Sequence, residues 1–495
     1  MGMLSHWRRL DFVRLAAGLS HTSRPHTPAP HAMNAPRSLT EGSISRGLVR
    51  FSLPILFANI LQSLNGSVNS IWVGRYLGEA ALTATSNANT VLFLLIGASF
   101  GIAMAATILV GQCVGAKDLV EAKRVVGTSA TFFASVSILM AIIGLTFSEP
   151  LLVAMRTPAF ALPLAVAYMR VIFLALPFIF MYAFVMSVLR GGGDSKTPFY
   201  FMLLSVAIDI ALNPLFIFGF GPVPRMGIAG SALATLVAQA VSLVALVAHL
   251  YRRQHMLVLH KDEVRHLRMD WSIVGTLVKK GLPMGGQMLV ASLSAVLMIT
   301  LVNNFGVDTA AAFGAALQLW NYIQMPAFAV GMGVSAMAAQ NVGAQKWDRV
   351  NAVARAGVLY SVILTGSVVL IIELLDTRAF EVFLPAGSAA LKIASHMNRI
   401  VTWSYVFFGV TMVLFGVVRA TGAVMAPLFI LTLALLLVRF PLADALIGRY
   451  QIDAVWWSFP TSSALAAILA VLYYKFGGWR TARMAGGPTR VIATP

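Results

Sequence analysis

The stretch Leu48-Val49-Arg50-Phe51-Ser52-Leu53-Pro54 returns as Leu277-Val278-Lys279-Lys280-Gly281-Leu282-Pro283, 229 residues further on. Gln112-Cys113-Val114-Gly115-Ala116-Lys117 returns as Gln340-Asn341-Val342-Gly343-Ala344-Gln345, at an offset of 228. Between and beyond these runs, Arg170 matches Arg399, Arg190 matches Arg419, Gly193 matches Gly422 and Pro198 matches Pro427. The chain is therefore two copies of one unit. A duplication of this size in very apolar sequence is how many membrane transporters are organised, with a site held between the halves.

Composition leads to the membrane independently. Hydrophobic residues make up 58% of the chain and charged residues 11%, whereas a soluble domain carries about 25% charged residues. Mean hydropathy is +0.81. Uncharged runs at 80–116, 125–148, 226–251, 281–307, 309–345 and 454–474 each reach the roughly 20 residues that a bilayer-spanning helix needs. The pattern predicts helices near 48–77, 82–112, 120–147, 160–187, 198–220, 227–250, 274–303, 309–339, 350–374, 392–417, 424–446 and 454–475. The expected fold is an all-α integral membrane protein of about 12 transmembrane helices in two pseudo-symmetric six-helix bundles. The divisions expected are a disordered or surface extension over 1–42, bundles over 43–251 and 273–476, a basic linker over 252–272 and a basic tail over 477–495. Met33 is an alternative start.

The net charge of +18 raises the question of nucleic acid, and its distribution answers it. Lys and Arg collect in alternate connections: Lys117, Lys123 and Arg124, then Arg190 and Lys196, then the run from Arg252 to Lys280, then Lys346, Arg349 and Arg355, then Arg419 and the tail. That alternation is the positive-inside signature, and it places both termini and the central linker in the cytoplasm of a bacterial inner membrane. A nucleic-acid partner is excluded as the reason for the charge; the partners expected are membrane lipid and a small molecule.

Local motifs carry little enzyme chemistry. Gly191-Gly192-Gly193-Asp194-Ser195-Lys196-Thr197 resembles a phosphate loop but has Ser before the lysine and no strand ahead of it, so it reads as a tight turn. Gly331-Met332-Gly333-Val334-Ser335-Ala336 lies inside a span, where small residues serve helix packing. His6, His21, His26, His31, His255, His260 and His266 sit in the tail and linker without metal-ligand spacing. Cys113 is the only cysteine, which rules out a disulfide within the chain. No catalytic residue, no metal site and no cofactor is expected.

Polarity inside the spans points to the working site, because it costs free energy in a bilayer. Asn59, Gln62, Asn65 and Asn69 are spaced 3, 3 and 4 apart and so share one helical face. Ser205, Asp209 and Asn213 are spaced 4 and 4, with Pro214 next, and Gln318, Asn321 and Gln324 form a third stripe. Amide stripes also serve as interhelical glue; three in one chain favour a wet cavity. Asp209 stands apart, since an ionised carboxylate at that depth costs about 3 kcal/mol or more unless paired or hydrated.

The order of Leu53-Pro54, Val73-Gly74-Arg75-Tyr76-Leu77-Gly78, Val110-Gly111-Gln112-Cys113-Val114-Gly115-Ala116, Val188-Leu189-Arg190-Gly191-Gly192-Gly193-Asp194 and Asn213-Pro214-Leu215-Phe216-Ile217-Phe218-Gly219 resembles the multidrug and toxic compound extrusion (MATE) family over about 43–475. The resemblance implies export of amphipathic, often cationic, drug-like compounds by a chain that acts as a monomer, in exchange for protons or sodium ions. It implies a coupling site at Asp209, Asn69 and Asn213, with Asn59, Gln62, Asn65, Ser205, Gln318, Asn321 and Gln324 towards the substrate cavity. Two departures stand out: the family commonly carries Asp at the place of Asn69, and often has Asn followed four residues later by Asp-Pro, where this chain has Asp209 and then Asn213-Pro214. A flippase for a lipid-linked precursor and a passive channel or structural membrane protein are the alternatives. The first would need a cationic cavity, and the second would have no use for a lone buried acid.

Overall fold

The structure is a computed structural model that describes residues 38–484. Most of the 1–42 extension, the alternative start at Met33, the four amino-terminal histidines and the end of the basic tail lie outside the described residues. Helix α1 covers Ile44–Gly115, and Gly78 inside it has φ 83° and ψ −177°. Only glycine adopts that conformation freely, so the chain turns there from a first crossing to a second, between the expected helices 48–77 and 82–112. Five helices complete the series before and after the linker: α2 (Leu119–Ala154), α3 (Leu162–Gly191), α4 (Lys196–Phe218), α5 (Ile228–Arg252) and α6 (Trp271–Asn303). Then come α7 (Val307–Gly343), α8 (Trp347–Leu375), α9 (Ala389–Val401), α10 (Ser404–Ala420), α11 (Met425–Tyr450) and α12 (Ile452–Phe476).

Among the described residues ten helices are long and apolar enough to cross a membrane, and α9 with α10, bent by 46°, makes an eleventh crossing. The break at Gly78 divides α1 into two, which brings the crossings to twelve, six in each half. Outer faces carry large apolar side chains such as Ile138, Leu139, Ile142 and Ile143, all exposed; water would reject such a surface and lipid accepts it. The expected single helix over 392–417 is instead the bent α9 and α10 pair. The eleventh span contains a π-helical stretch, Leu433–Arg439. The Leu435 carbonyl there accepts a hydrogen bond from Ser294 Oγ of α6 at 3.1 Å.

Both halves are joined at the end of the molecule that carries the linker. Gln112 Nε2 donates to the Ala420 carbonyl at 2.7 Å, and Gln340 Nε2 donates to the Gly191 carbonyl at 2.9 Å. The two bonds are copies of each other, since the repeat that relates Gln112 to Gln340 relates Gly191 to Ala420. The glycines of the same motif explain themselves by close approach. A Cβ on Gly115 would lie 1.9 Å from the Gln340 carbonyl oxygen, and one on Gly343 would lie 1.9 Å from that of Gln112. The segment before α1 adds a strap onto the second half: Leu39 N donates to Gln340 Oε1 at 3.1 Å and Asn341 Nδ2 to the Leu39 carbonyl at 3.2 Å. Lys123 with Glu263 and Arg124 with Asp270 pin the linker to α2.

Candidate functional site

Asp209 lies in mid-helix on α4 and is 2% exposed. The fourfold spacing stacks Ser205, Asp209 and Asn213 on one face, and all three are buried. Pro214 lacks the N–H that would bond the Ile210 carbonyl one turn back, so α4 is loosened beside the acid. From α1, Asn65 Nδ2 and Asn69 Nδ2 both donate to Asp209 Oδ2, at 2.7 and 2.9 Å. Asn213 Nδ2 donates to Asn69 Oδ1 at 2.8 Å and to the Asp209 carbonyl at 3.3 Å. From α5, Thr235 Oγ1 donates to Asp209 Oδ1 at 3.1 Å.

Two helices, α1 and α5, thus supply three donors to one carboxylate, and among the described residues no Lys, Arg or His forms an ion pair with it. The surrounding oxygens are the second half of the geometry. Asn65 Oδ1, Asn213 Oδ1 and Gln239 Oε1 are buried without a hydrogen-bond partner. Each such acceptor costs on the order of 1–3 kcal/mol of desolvation. A carboxylate among spare amide oxygens can do two things: take a proton, or share a hard monovalent cation with those oxygens.

The other candidates separate. Asn65, read from its stripe as a cavity residue, reaches Asp209 itself. Asn59 is half-buried and Gln62 exposed on the same face of α1, and neither makes a side-chain hydrogen bond among the described residues. Ser205 accepts from Gln239 Nε2 at 3.4 Å. Gln324 Nε2 donates to Asn321 Oδ1 at 2.9 Å, and Gln318 and Asn321 are exposed, so the third stripe stays apart from the acid. Thr235 and Gln239 were not singled out from sequence, although their spacing of 4 on the uncharged sixth span carried the signal. In the eleventh span Arg439 donates through Nε to Ser462 Oγ at 2.8 Å and lies over the Phe459 ring at 4.4 Å. At the other end of the molecule Asp376 pairs with Arg399 and Asp453 with His396, and Glu373 accepts from Asn398.

Two apolar six-helix halves, locked together at one end, with a polar cluster buried in the first, are the architecture of a membrane transporter. The chain belongs to the MatE family, whose model matches residues 54–215 and again 283–443, once in each half. It is 36% identical over 436 residues to the probable multidrug resistance protein YoeA of Bacillus subtilis, covering 88% of this chain and 94% of that one. It is 31% identical to the probable multidrug resistance protein YpnP of the same organism over 90% of this chain and 98% of that one. The fold matches the crystal structure of a mutant of the Vibrio cholerae MATE transporter VcmN with a TM-score of 0.81, at 21% identity over 87% of this chain and 96% of that one.

Proposed function

We propose that the protein is a secondary multidrug exporter of a bacterial plasma membrane, exchanging amphipathic compounds for protons or sodium ions by alternating access. The observation that carries this reading is Asp209, buried and held by Asn65, Asn69 and Thr235 with no ion-pair partner among the described residues. A proton or sodium ion neutralises that carboxylate. The donors from α1 and α5 then lose their charged acceptor, and the packing of the first half changes. Coupling follows because an ion moves such an equilibrium only through its different affinity for the two states.

The halves 43–251 and 273–476 rock as bodies about the interface between them, and one chain suffices because it holds both. Charge asymmetry assigns the linker end to the cytoplasm, so the Gln112 and Gln340 lock closes the cytoplasmic side in this conformation. Asn59, Gln62 and Gln318, without a side-chain hydrogen bond among the described residues, and the hydrogen-bonded pair Asn321 and Gln324 face the substrate. The names of the Bacillus relatives support a drug-like class of cargo.

The test is exchange in reconstituted vesicles. A dye gradient should drive counterflow of protons or sodium, and an imposed ion gradient should drive dye uphill. Dye flux that never couples to either ion would turn the assignment to a channel.

A further inference from the structure

The two halves differ in sign at equivalent positions. Asp209 lies eleven residues after Pro198, and Arg439 lies twelve residues after the matching Pro427. The π-helical stretch Leu433–Arg439 accommodates the additional residue, since its turns are wider than those of an α-helix. Arg439 therefore occupies the place in α11 that Asp209 occupies in α4. The helix that follows supplies hydroxyls in both cases. Thr235 of α5 donates to Asp209, and Ser462 and Ser463 of α12 accept from Arg439 Nε and Nη2 at 2.8 and 3.5 Å.

Arg439 has no acid. Its helix shows Phe429, Leu433 and Leu437 outward, while Arg439 shares the inward face with the buried Ala443, one turn on. Among the described residues no carboxylate pairs with it: Asp376 meets Arg399, Asp453 meets His396, Glu373 accepts from Asn398, and Asp444 stays apart. A guanidinium has five N–H donors, and the two serines take one each. Besides the Tyr405 hydroxyl, the neighbourhood adds donors and, among the described residues, no carboxylate. Trp320 Nε1 and Trp456 Nε1 are buried without a partner. Trp320 lies 5.5 Å from the Phe459 ring that Arg439 covers, and Trp456 stacks on Phe313, itself 6.3 Å from Phe459. An indole N–H can only donate. The orphaned amide oxygens beside Asp209 are acceptors near an acid; the orphaned indole N–H groups are donors in the aromatic cluster that Arg439 covers.

We infer that Arg439, with Trp320 and Trp456, forms an anion-recognition site in the second half, taking a carboxylate or sulfonate borne by the transported compound. The inference rests on the export reading and deepens it: cargo with an anionic group, zwitterions included, is selected by Arg439, while the coupling cation is held at Asp209 in the other half. A charge inside a span without an acid partner marks a ligand or relay position, since the two serines and the Phe459 ring leave further N–H groups for an anion.

Equilibrium binding to the purified full-length protein tests this without requiring transport. The probes are a rhodamine bearing a free carboxylate and the ethyl ester of the same dye, which lacks only the anion, followed by fluorescence anisotropy. In Arg439→Gln the free acid should bind on the order of tenfold more weakly while the ester binds as before, and Arg439→Lys should keep part of the preference. Trp320→Phe retains the ring and removes one N–H, so a smaller loss confined to the acid is expected even if Arg439→Gln fails to fold. Equal losses for both dyes, or a wild-type protein indifferent to the carboxylate, would overturn the anion site. Selective binding in a protein that moves neither dye in vesicles would instead overturn the export reading and leave the site standing.

Discussion

Asp209 tests the coupling site at the scale of one residue. Asp209→Asn keeps the size and polarity of the protonated side chain and cannot lose a proton, so ion-driven dye exchange should fall to background while the protein still folds and inserts. Wild-type exchange in that variant would remove the first half's coupling group. Asn69 offers a reciprocal check, because its Nδ2 lies 2.9 Å from Asp209 Oδ2. An acid placed at 69 puts charge within about one hydrogen-bond length of the original position. Asn69→Asp combined with Asp209→Asn should therefore recover measurable coupling. Thr235→Val removes one hydrogen bond to a charged acceptor, a change worth about 1.5–3 kcal/mol. It should shift the ion concentration for half-maximal exchange by roughly tenfold or more, and an unchanged ion dependence would count against Thr235 as part of the site.

Elements explain why some of this was legible in the sequence and some was not. The α4 stripe could be read because charge and amides recur every four residues in an otherwise apolar run, and the helix has no other way to arrange them. Thr235 left only the weaker signal of its spacing from Gln239, since a hydroxyl in an apolar helix ordinarily bonds its own backbone, as Thr235 also does to the Ser231 carbonyl at 3.5 Å. The bend between α9 and α10 falls at Val401-Thr402-Trp403-Ser404, where neither proline nor glycine announces it. The π-helical stretch left a trace only in the repeat, as the additional residue between Pro427 and Arg439. The turn at Gly78 was visible as a gap between two spans, and its backbone makes it a test of the helix pair. Gly78→Val puts a β-branched side chain at φ 83°, which costs about 1–3 kcal/mol or more. It should lower the thermal unfolding midpoint and the yield of inserted protein, and an unaffected variant would show that the two crossings do not depend on that turn.

On the alternating-access proposal the whole molecule is an equilibrium between packings, and its only cysteine sits at the interface that would open. Cys113 is buried inside the repeated motif, between Gln112, which bonds the second half, and Gly115, which lies against Gln340. In Gly343→Ala the new methyl would stand 1.9 Å from the Gln112 carbonyl oxygen, and backbone on backbone has no room to yield. The closed linker end is disfavoured by that clash, whereas a state with the halves apart at this end is not. The variant should accordingly shift towards the state open at the linker end, and Cys113 should react with a maleimide faster than in the wild type. Sidedness then comes from the reagent: an impermeant maleimide should label Gly343→Ala from the cytoplasmic side of inverted vesicles and not from outside intact cells. A reporter fused after Lys261 should likewise read as cytoplasmic and one near Asp308 as external. Labelling from the outside, together with reversed reporters, would invert the topology that the lysines and arginines imply. Unchanged labelling from either side would mean that the Gln112 and Gln340 contacts are not the gate, and that the halves separate elsewhere.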